Sequence, residues 1–121
     1  MAVGEIMAKN FVAVLGKGRG TWGHVARLIR EEEWGNIFLV SNDFGKDNFA
    51  PSKECDWLLL NSGSDFESLK EAIKEKLPEG ELAVSLISGT GKEHTALLAA
   101  LKEAKKGYEL VILTSKGTKY Y

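Results

Sequence analysis

Five mainly apolar runs of strand length, separated by longer segments, constrain the fold of this chain more than any other feature. They occupy 11–15, 37–40, 56–60, 82–87 and 108–113. Strands that are apolar on both faces are typical of a parallel sheet with helices packed on each side. The sequence therefore predicts an α/β domain of three layers around a five-stranded, mostly parallel sheet. Residues 115–121 follow either as a hairpin return, which would add an antiparallel strand, or as a frayed tail.

Three of the intervening segments have the apolar spacing of helices. Helices are predicted over about 21–33, 64–77 and 92–106. The second opens on Ser64-Asp65-Phe66-Glu67, which has the spacing of a capping box. Residues 41–53 are polar and irregular, so they are predicted to form a long loop with room for one helical turn.

Right-handed crossovers between parallel strands limit the strand order. The order 3-2-1-4-5 is the most economical. It places the first and fourth strands side by side, with their following helices on opposite faces. Open α/β sheets bind ligands in the crevice at such a switch point. The alternative order 2-1-3-4-5 would pair the first strand with the third, and its pocket would use Asn61-Ser62-Gly63-Ser64.

Length, charge and cysteine content narrow the class of protein. The 121 residues fit one domain over 1–121. With 16 basic and 17 acidic residues, the chain has no global positive field for duplex nucleic acid. The single cysteine, Cys55, excludes an intrachain disulfide, gives little support to zinc and fits a reducing cytoplasm.

The remaining composition excludes several further classes. Residues 1–9 do not have the pattern of a signal peptide, and no apolar run reaches the ~18 residues of a membrane span. No cofactor or metal is predicted. The absence of glutamine beside abundant lysine and glutamate favours a thermophilic source.

Two glycine-rich turns follow the first and fourth strands. They are Gly16-Lys17-Gly18-Arg19-Gly20-Thr21 and Ser88-Gly89-Thr90-Gly91-Lys92. Each combines open backbone N–H groups, the start of a helix and a cation, which together favour an anion. We expect the turns to face one another and to hold one phosphate-rich ligand. The predicted ligand-binding residues are Gly16, Lys17, Gly18, Arg19, Gly20, Thr21, Ser88, Gly89, Thr90, Gly91 and Lys92.

Other interpretations of the same turns stay open. Gly18-Arg19-Gly20-Thr21-Trp22-Gly23 matches the letters of a dinucleotide-binding motif, although two residues late, and Asp43 is then the candidate ribose acid. The second turn is not a Walker A loop, because Leu86 and Glu93 stand where that loop needs glycine and a hydroxyl residue. The glycines could also serve tight turns alone.

Individual side chains near the turns suggest further roles. Lys92 lies in the first turn of a helix, where a cation is unfavourable for the helix dipole, so the position indicates a role in ligand binding. His24 and His94 are candidate proton carriers or phosphate donors. Trp22 is expected to pack between helix and sheet, with stacking on a base as the alternative.

The layout and the second turn resemble the CRISPR-associated Rossmann fold domains, Rossmann-like modules that bind cyclic oligoadenylates. In that family the turn after strand 4 often reads Gly-Gly-Thr-Lys. Here it is Ser88-Gly89-Thr90-Gly91-Lys92, with an extra glycine before the lysine. The resemblance implies a homodimer whose ligand straddles the two-fold axis above the strand ends. It also normally implies an attached effector domain, for which this chain has no room.

The resemblance implies two roles for a stand-alone module: sequestering the cyclic oligoadenylate, or cleaving it as metal-independent ring nucleases do. Cleavage needs a ribose 2′-hydroxyl in line with the adjacent phosphate and donors for the developing charge. Lys92 and His94 are the candidate catalytic residues, with Arg19 as a further donor. The alternatives are a small NAD(P)-binding domain or subunit of an oxidoreductase, and a non-catalytic interaction domain.

Overall fold

Six strands and four helices alternate along the part of the chain that the computed structural model describes, residues 8–61 and 63–121. The strands are β1 (Asn10–Val14), β2 (Ile37–Ser41), β3 (Asp56–Leu59), β4 (Leu82–Ser85), β5 (Tyr108–Thr114) and β6 (Gly117–Tyr120). The helices are α1 (Trp22–Glu31), α2 (Asp43–Asn48), α3 (Phe66–Lys76) and α4 (Gly91–Glu103), and a 3-10 turn over Arg19–Thr21 precedes α1. The predictions made for residues 1–7 and for Ser62 fall outside the described residues.

The strands form one sheet in the order β3-β2-β1-β4-β5-β6. Neighbouring strands from β3 to β5 are parallel, and β6 pairs with β5 in the antiparallel direction. The predicted α/β class and the order 3-2-1-4-5 are therefore confirmed. The alternative order 2-1-3-4-5 is wrong, because both neighbours of β1 are β2 and β4. Of the two expectations for the C-terminal residues, the hairpin return is correct, so the sheet has six strands within the described part of the chain.

Alternate residues of β1 belong to two different hydrophobic clusters. Phe11 and Ala13 belong to a cluster that includes Leu28 and other residues of α1. Val12 and Val14 belong to the cluster that includes residues of α3 and α4. Because successive side chains of a strand point to opposite faces, α1 and α4 lie on opposite faces of the sheet. This is the arrangement expected of the helices that follow the two strands at a switch point.

Two helix starts differ from the sequence predictions because of local capping. The N-cap of α3 is Asp65, whose carboxylate accepts a 2.7 Å hydrogen bond from the backbone N–H of Ser68, and not Ser64. The predicted loop 41–53 contains α2, which begins after Asn42. The Oδ1 of Asn42 accepts from the N–H of Gly45 at 2.8 Å, and this cap favours a helix over an irregular loop.

Candidate functional site

The two glycine-rich turns touch each other. The backbone N–H of Gly16 donates to the hydroxyl of the buried Ser88 at 2.9 Å. A Cβ atom added at Gly16 would lie 2.9 Å from both the Cα and the backbone nitrogen of Gly89. Gly89 itself has a φ of +107°, and a Cβ there would lie 2.5 Å from a methyl group of Val14. The expected convergence of the two turns is therefore confirmed.

The contact separates glycines that packing requires from glycines that it does not. Gly16 and Gly89 allow two backbones to meet, so the structural interpretation explains them. A Cβ at Gly18, Gly20 or Gly91 would meet no atom within 4 Å. Close packing at the Cβ position therefore does not explain these three glycines.

A crevice with two compartments runs along the carboxyl ends of the strands. We call the space between the turns, lined in part by Gly16, Gly18, Thr21 and Ser88, the turn compartment; its volume is about 560 Å³. We call the adjoining space over the ends of β2 and β3 the β2–β3 compartment; its volume is about 500 Å³. Its lining includes Asn42, Phe44, Leu60, Asn61 and Lys92. Both volumes are typical of small-ligand sites.

Nine of the eleven predicted ligand-binding residues line this crevice. Lys17 and Thr90 border both compartments, and Lys92 borders only the β2–β3 compartment. The other six line the turn compartment: Gly16, Gly18, Gly20, Thr21, Ser88 and Gly89. Arg19 and Gly91 are outside both linings.

The start of α4 is closed by a capping box that the sequence analysis overlooked. The hydroxyl of Thr90 accepts from the N–H of Glu93 at 3.2 Å, and the Glu93 carboxylate accepts from the N–H of Thr90 at 2.8 Å. The signal was present in the sequence, because Thr90-Gly91-Lys92-Glu93 has the required spacing. Glu93 thus places a carboxylate on the border of both compartments.

Lys92 points towards the loop that follows β3. Its Nζ donates to the backbone carbonyl of Ser64 at 2.7 Å. The pKa of the nearby Asp65 is lowered, mainly by hydrogen bonding from Ser68 and to a smaller extent by the charge of Lys92. Lys92 therefore contributes its charge to the far side of the crevice, while the exposed Lys17 stands between the two compartments.

Arg19 lies against α2 rather than over the crevice. Its guanidinium donates to the side-chain oxygen of Asn48 at 3.1 Å and lies 5.2 Å from the ring centroid of Phe44. Phe44 is 45% exposed and borders the β2–β3 compartment, so it is the aromatic side chain that a ligand would meet. No pattern in the sequence marks Phe44, which lies on α2 within the predicted loop 41–53.

Trp22 has a structural role. It is buried, and its indole N–H donates to the carbonyl of Gly16 at 2.9 Å. The ring thereby holds the first turn against α1. This placement supports the packing role predicted for Trp22 and leaves its ring covered, so the alternative of stacking on a base does not fit.

The two histidines are engaged within the protein. Nε2 of His94 lies 2.7 Å from the carbonyl oxygen of Ser88. A carbonyl oxygen only accepts, so this nitrogen is the donor. Nε2 of His24 accepts from the backbone N–H of Leu113 at 3.1 Å, and burial lowers its pKa. Neither ring lines the crevice.

Within 8–61 and 63–121, no group of three or more His, Cys, Asp or Glu residues could hold a metal ion. No helix in the same part of the chain combines the length and the apolar character that crossing a membrane requires. In comparisons with known proteins, no family model and no curated protein matched this sequence.

Proposed function

We propose that this chain binds a phosphate-containing nucleotide in the crevice at the carboxyl edge of the sheet. The observation that carries the proposal is the direct contact between Gly16 and Ser88. It brings together two turns that each precede a helix. Lys17 supplies a cation where the compartments meet. The backbone N–H of Lys92, which borders the crevice in the first turn of α4, has no acceptor within its helix.

The resemblance described above supports a cyclic oligoadenylate as the ligand. On this proposal the domain is a three-layer, Rossmann-like module that forms a cytoplasmic homodimer, and two crevices share one cyclic ligand. The turn compartment would receive phosphate groups. The β2–β3 compartment offers the ring of Phe44, the amide of Asn61 and the apolar Leu60, which suit a base or a ribose.

Cleavage of the ligand has less support from the geometry than binding. Lys92 lines the crevice, but His94 donates to Ser88 from outside the crevice lining. We therefore propose that the domain binds or sequesters its ligand. Ring-nuclease activity is tested in a separate assay. That assay incubates cyclic tetra-adenylate with the protein, without metal, and follows linear products by chromatography.

A dinucleotide is the second candidate ligand because of Asp43. This residue follows β2 directly after the cap Asn42 and borders the β2–β3 compartment. An acid beyond the second strand is where NAD-binding domains hold the ribose hydroxyls. NAD and NADP therefore belong in the same binding screen as the cyclic oligoadenylates. If no nucleotide raises the melting temperature, the interaction-domain hypothesis is favoured instead.

The decisive variant is Lys17→Ala, measured by calorimetry with the nucleotide that binds best. Loss of one charged hydrogen bond should weaken binding about tenfold. Lys46→Ala is the matched control, because Lys46 is exposed on α2 and does not border the crevice. Equal affinities for wild type and Lys17→Ala would contradict the proposed site. A second variant, Lys92→Ala, tests the β2–β3 compartment separately.

A further inference from the structure

Glu93 occupies a position in the crevice that is fixed from two sides. Its carboxylate accepts from the N–H of Thr90 at 2.8 Å, and its own N–H donates to the Thr90 hydroxyl at 3.2 Å. A Cβ added at Gly89 would lie 3.1 Å from the carboxylate oxygen, which shows how close the carboxylate lies to the second turn. The side chain cannot turn away without breaking the cap of α4, so its negative charge stays at the border between the compartments.

The charged side chains around the crevice balance. Among the described residues, two cations line it, Lys17 and Lys92, and two carboxylates line it, Asp43 and Glu93. Lys92 is already held by the carbonyl of Ser64. The crevice therefore has no surplus of positive charge with which to neutralise a group that carries two negative charges.

Phosphate groups of nucleotides differ in charge at neutral pH. A phosphodiester carries one negative charge, and a terminal phosphate carries about 1.5 to 2. Repulsion from a fixed carboxylate grows with the charge of the ligand, while the N–H groups of the turns are available to either kind of phosphate. The carboxylate thus favours the diester.

We infer that Glu93 is a specificity-determining residue that makes this crevice select phosphodiesters over terminal phosphates. The inference rests on the proposed function, since it assumes that the crevice holds a nucleotide. It narrows the ligand class to internucleotide phosphates without a free phosphate end, and a product of cleavage that carried a terminal phosphate would be held less tightly than the intact ligand.

The test compares two probes that differ only in one terminal phosphate: the adenosine dinucleotide ApA, and the same molecule with a 5′-phosphate, pApA. Their dissociation constants are measured by calorimetry on the full chain, for wild type and for Glu93→Gln. Glutamine is accepted at this position of a capping box, so the helix start is preserved. We expect wild type to prefer ApA, and we expect Glu93→Gln to reduce that preference about fivefold or more.

Glu103→Gln is the matched control, because it removes the same charge from the far end of α4 and does not border the crevice. It should leave the preference at its wild-type value. If Glu93→Gln does not fold, Glu93→Ala gives the same comparison with the charge removed. An unchanged preference in a variant that still binds ApA would overturn the role of Glu93 alone. Binding of neither probe nor cyclic tetra-adenylate to any variant would overturn the proposed function, and the inference with it.

Discussion

The closest approach between the two turns, at Gly16, has a direct energetic consequence. Gly16→Ala would place a methyl group 2.9 Å from the backbone of Gly89, which has no flexible side chain that could move aside. We expect this substitution to destabilise the protein by about 1–3 kcal/mol in chemical denaturation, the usual cost of overpacking. Gly18→Ala is the control, because Gly18 has a φ of −76° and open space at the Cβ position. It should change stability by no more than about 1 kcal/mol; equal losses in both variants would show that the turns are loosely packed.

At this scale the sequence predicted the convergence of the two turns better than the contacts of individual side chains. The turns were found because glycine after a buried strand has a specific backbone meaning. The role of Ser88, however, depends on the hydrogen bond that its hydroxyl accepts from Gly16. That bond joins the turns after two neighbouring strands, and sequence spacing alone cannot show it. Phe44 lines the crevice because of α2, and no local pattern marked it. Asn61 was assigned to a pocket only under the alternative order 2-1-3-4-5, yet it lines the crevice because β3 pairs with β2.

Helices α3 and α4 are joined by ion pairs around one buried amine. The Nζ of Lys70, which is 6% exposed, lies 2.8 Å from Glu67 on its own helix and 2.7 Å from Glu103 on α4. Lys74 adds a second contact to Glu103 at 3.3 Å. Hydrogen bonding from Lys70, and then from Lys74, lowers the pKa of Glu103. A carboxyl with a lowered pKa stabilises the fold above its unfolded pKa, and that stabilisation is lost as the pH falls through the folded value.

Glu103→Gln should therefore be less stable than wild type at neutral pH, and the difference should shrink as the pH falls below the unfolded pKa of 4.5 and through the lower folded pKa. Denaturant titrations at several pH values measure this. Glu75→Gln, at an exposed site on the same pair of helices, removes an equal charge and should give a curve parallel to wild type. A constant gap between Glu103→Gln and wild type at all pH values would mean that the ion pairs contribute nothing to the union of α3 and α4.

The helices α3 and α4 were predicted, but the residues that cap them were not. Ser64 and Asp65 are adjacent candidates for the N-cap of α3. Asp65 is the N-cap because its carboxylate accepts a hydrogen bond from the N–H of Ser68. The box formed by Thr90 and Glu93 also had the standard spacing, but it was not predicted, and Thr90 was interpreted only as a ligand-binding residue. Buried Lys70 carries no mark in the sequence, because its burial depends on how α3 and α4 pack.

For the molecule as a whole, the order of the five parallel strands followed from general rules of chain connection. The existence of the last strand, β6, did not follow from those rules. Parallel strands with right-handed crossovers leave few orders, and the economical one is present. β6 is short and mainly polar, so the spacing of hydrophobic residues could not distinguish a strand from a frayed tail. Its position depends on long-range contacts: the main chain of Tyr121 exchanges hydrogen bonds with Leu110, and the Tyr120 hydroxyl donates to Glu32 at 3.2 Å.

Those contacts connect the end of the chain with its beginning and with α1. Lys9 lies 3.9 Å from the ring centroid of Tyr120 and pairs with Glu109 of β5 at 2.8 Å. Burial, followed by the charge of Glu32, raises the pKa of Tyr120 to about 12. A phenol with a raised pKa stabilises the fold while it is neutral. This stabilisation is complete below the unfolded pKa of 10.0 and is lost as the pH rises towards the folded value.

Tyr120→Phe keeps the packed ring and removes the ionisable group. Between about pH 10 and pH 12, the stability of this variant should fall less steeply than that of wild type. In this range the unfolded wild-type chain loses the phenol proton of Tyr120 while the folded protein keeps it, and the variant has no such proton to lose. Tyr108→Phe, at a 42% exposed position on β5, is the matched control and should keep the wild-type slope. Urea unfolding across this pH range measures the difference. If Tyr120→Phe loses stability as steeply as wild type, then β6 does not hold the phenol against Glu32, and the link between the two ends of the chain is weaker than its geometry indicates.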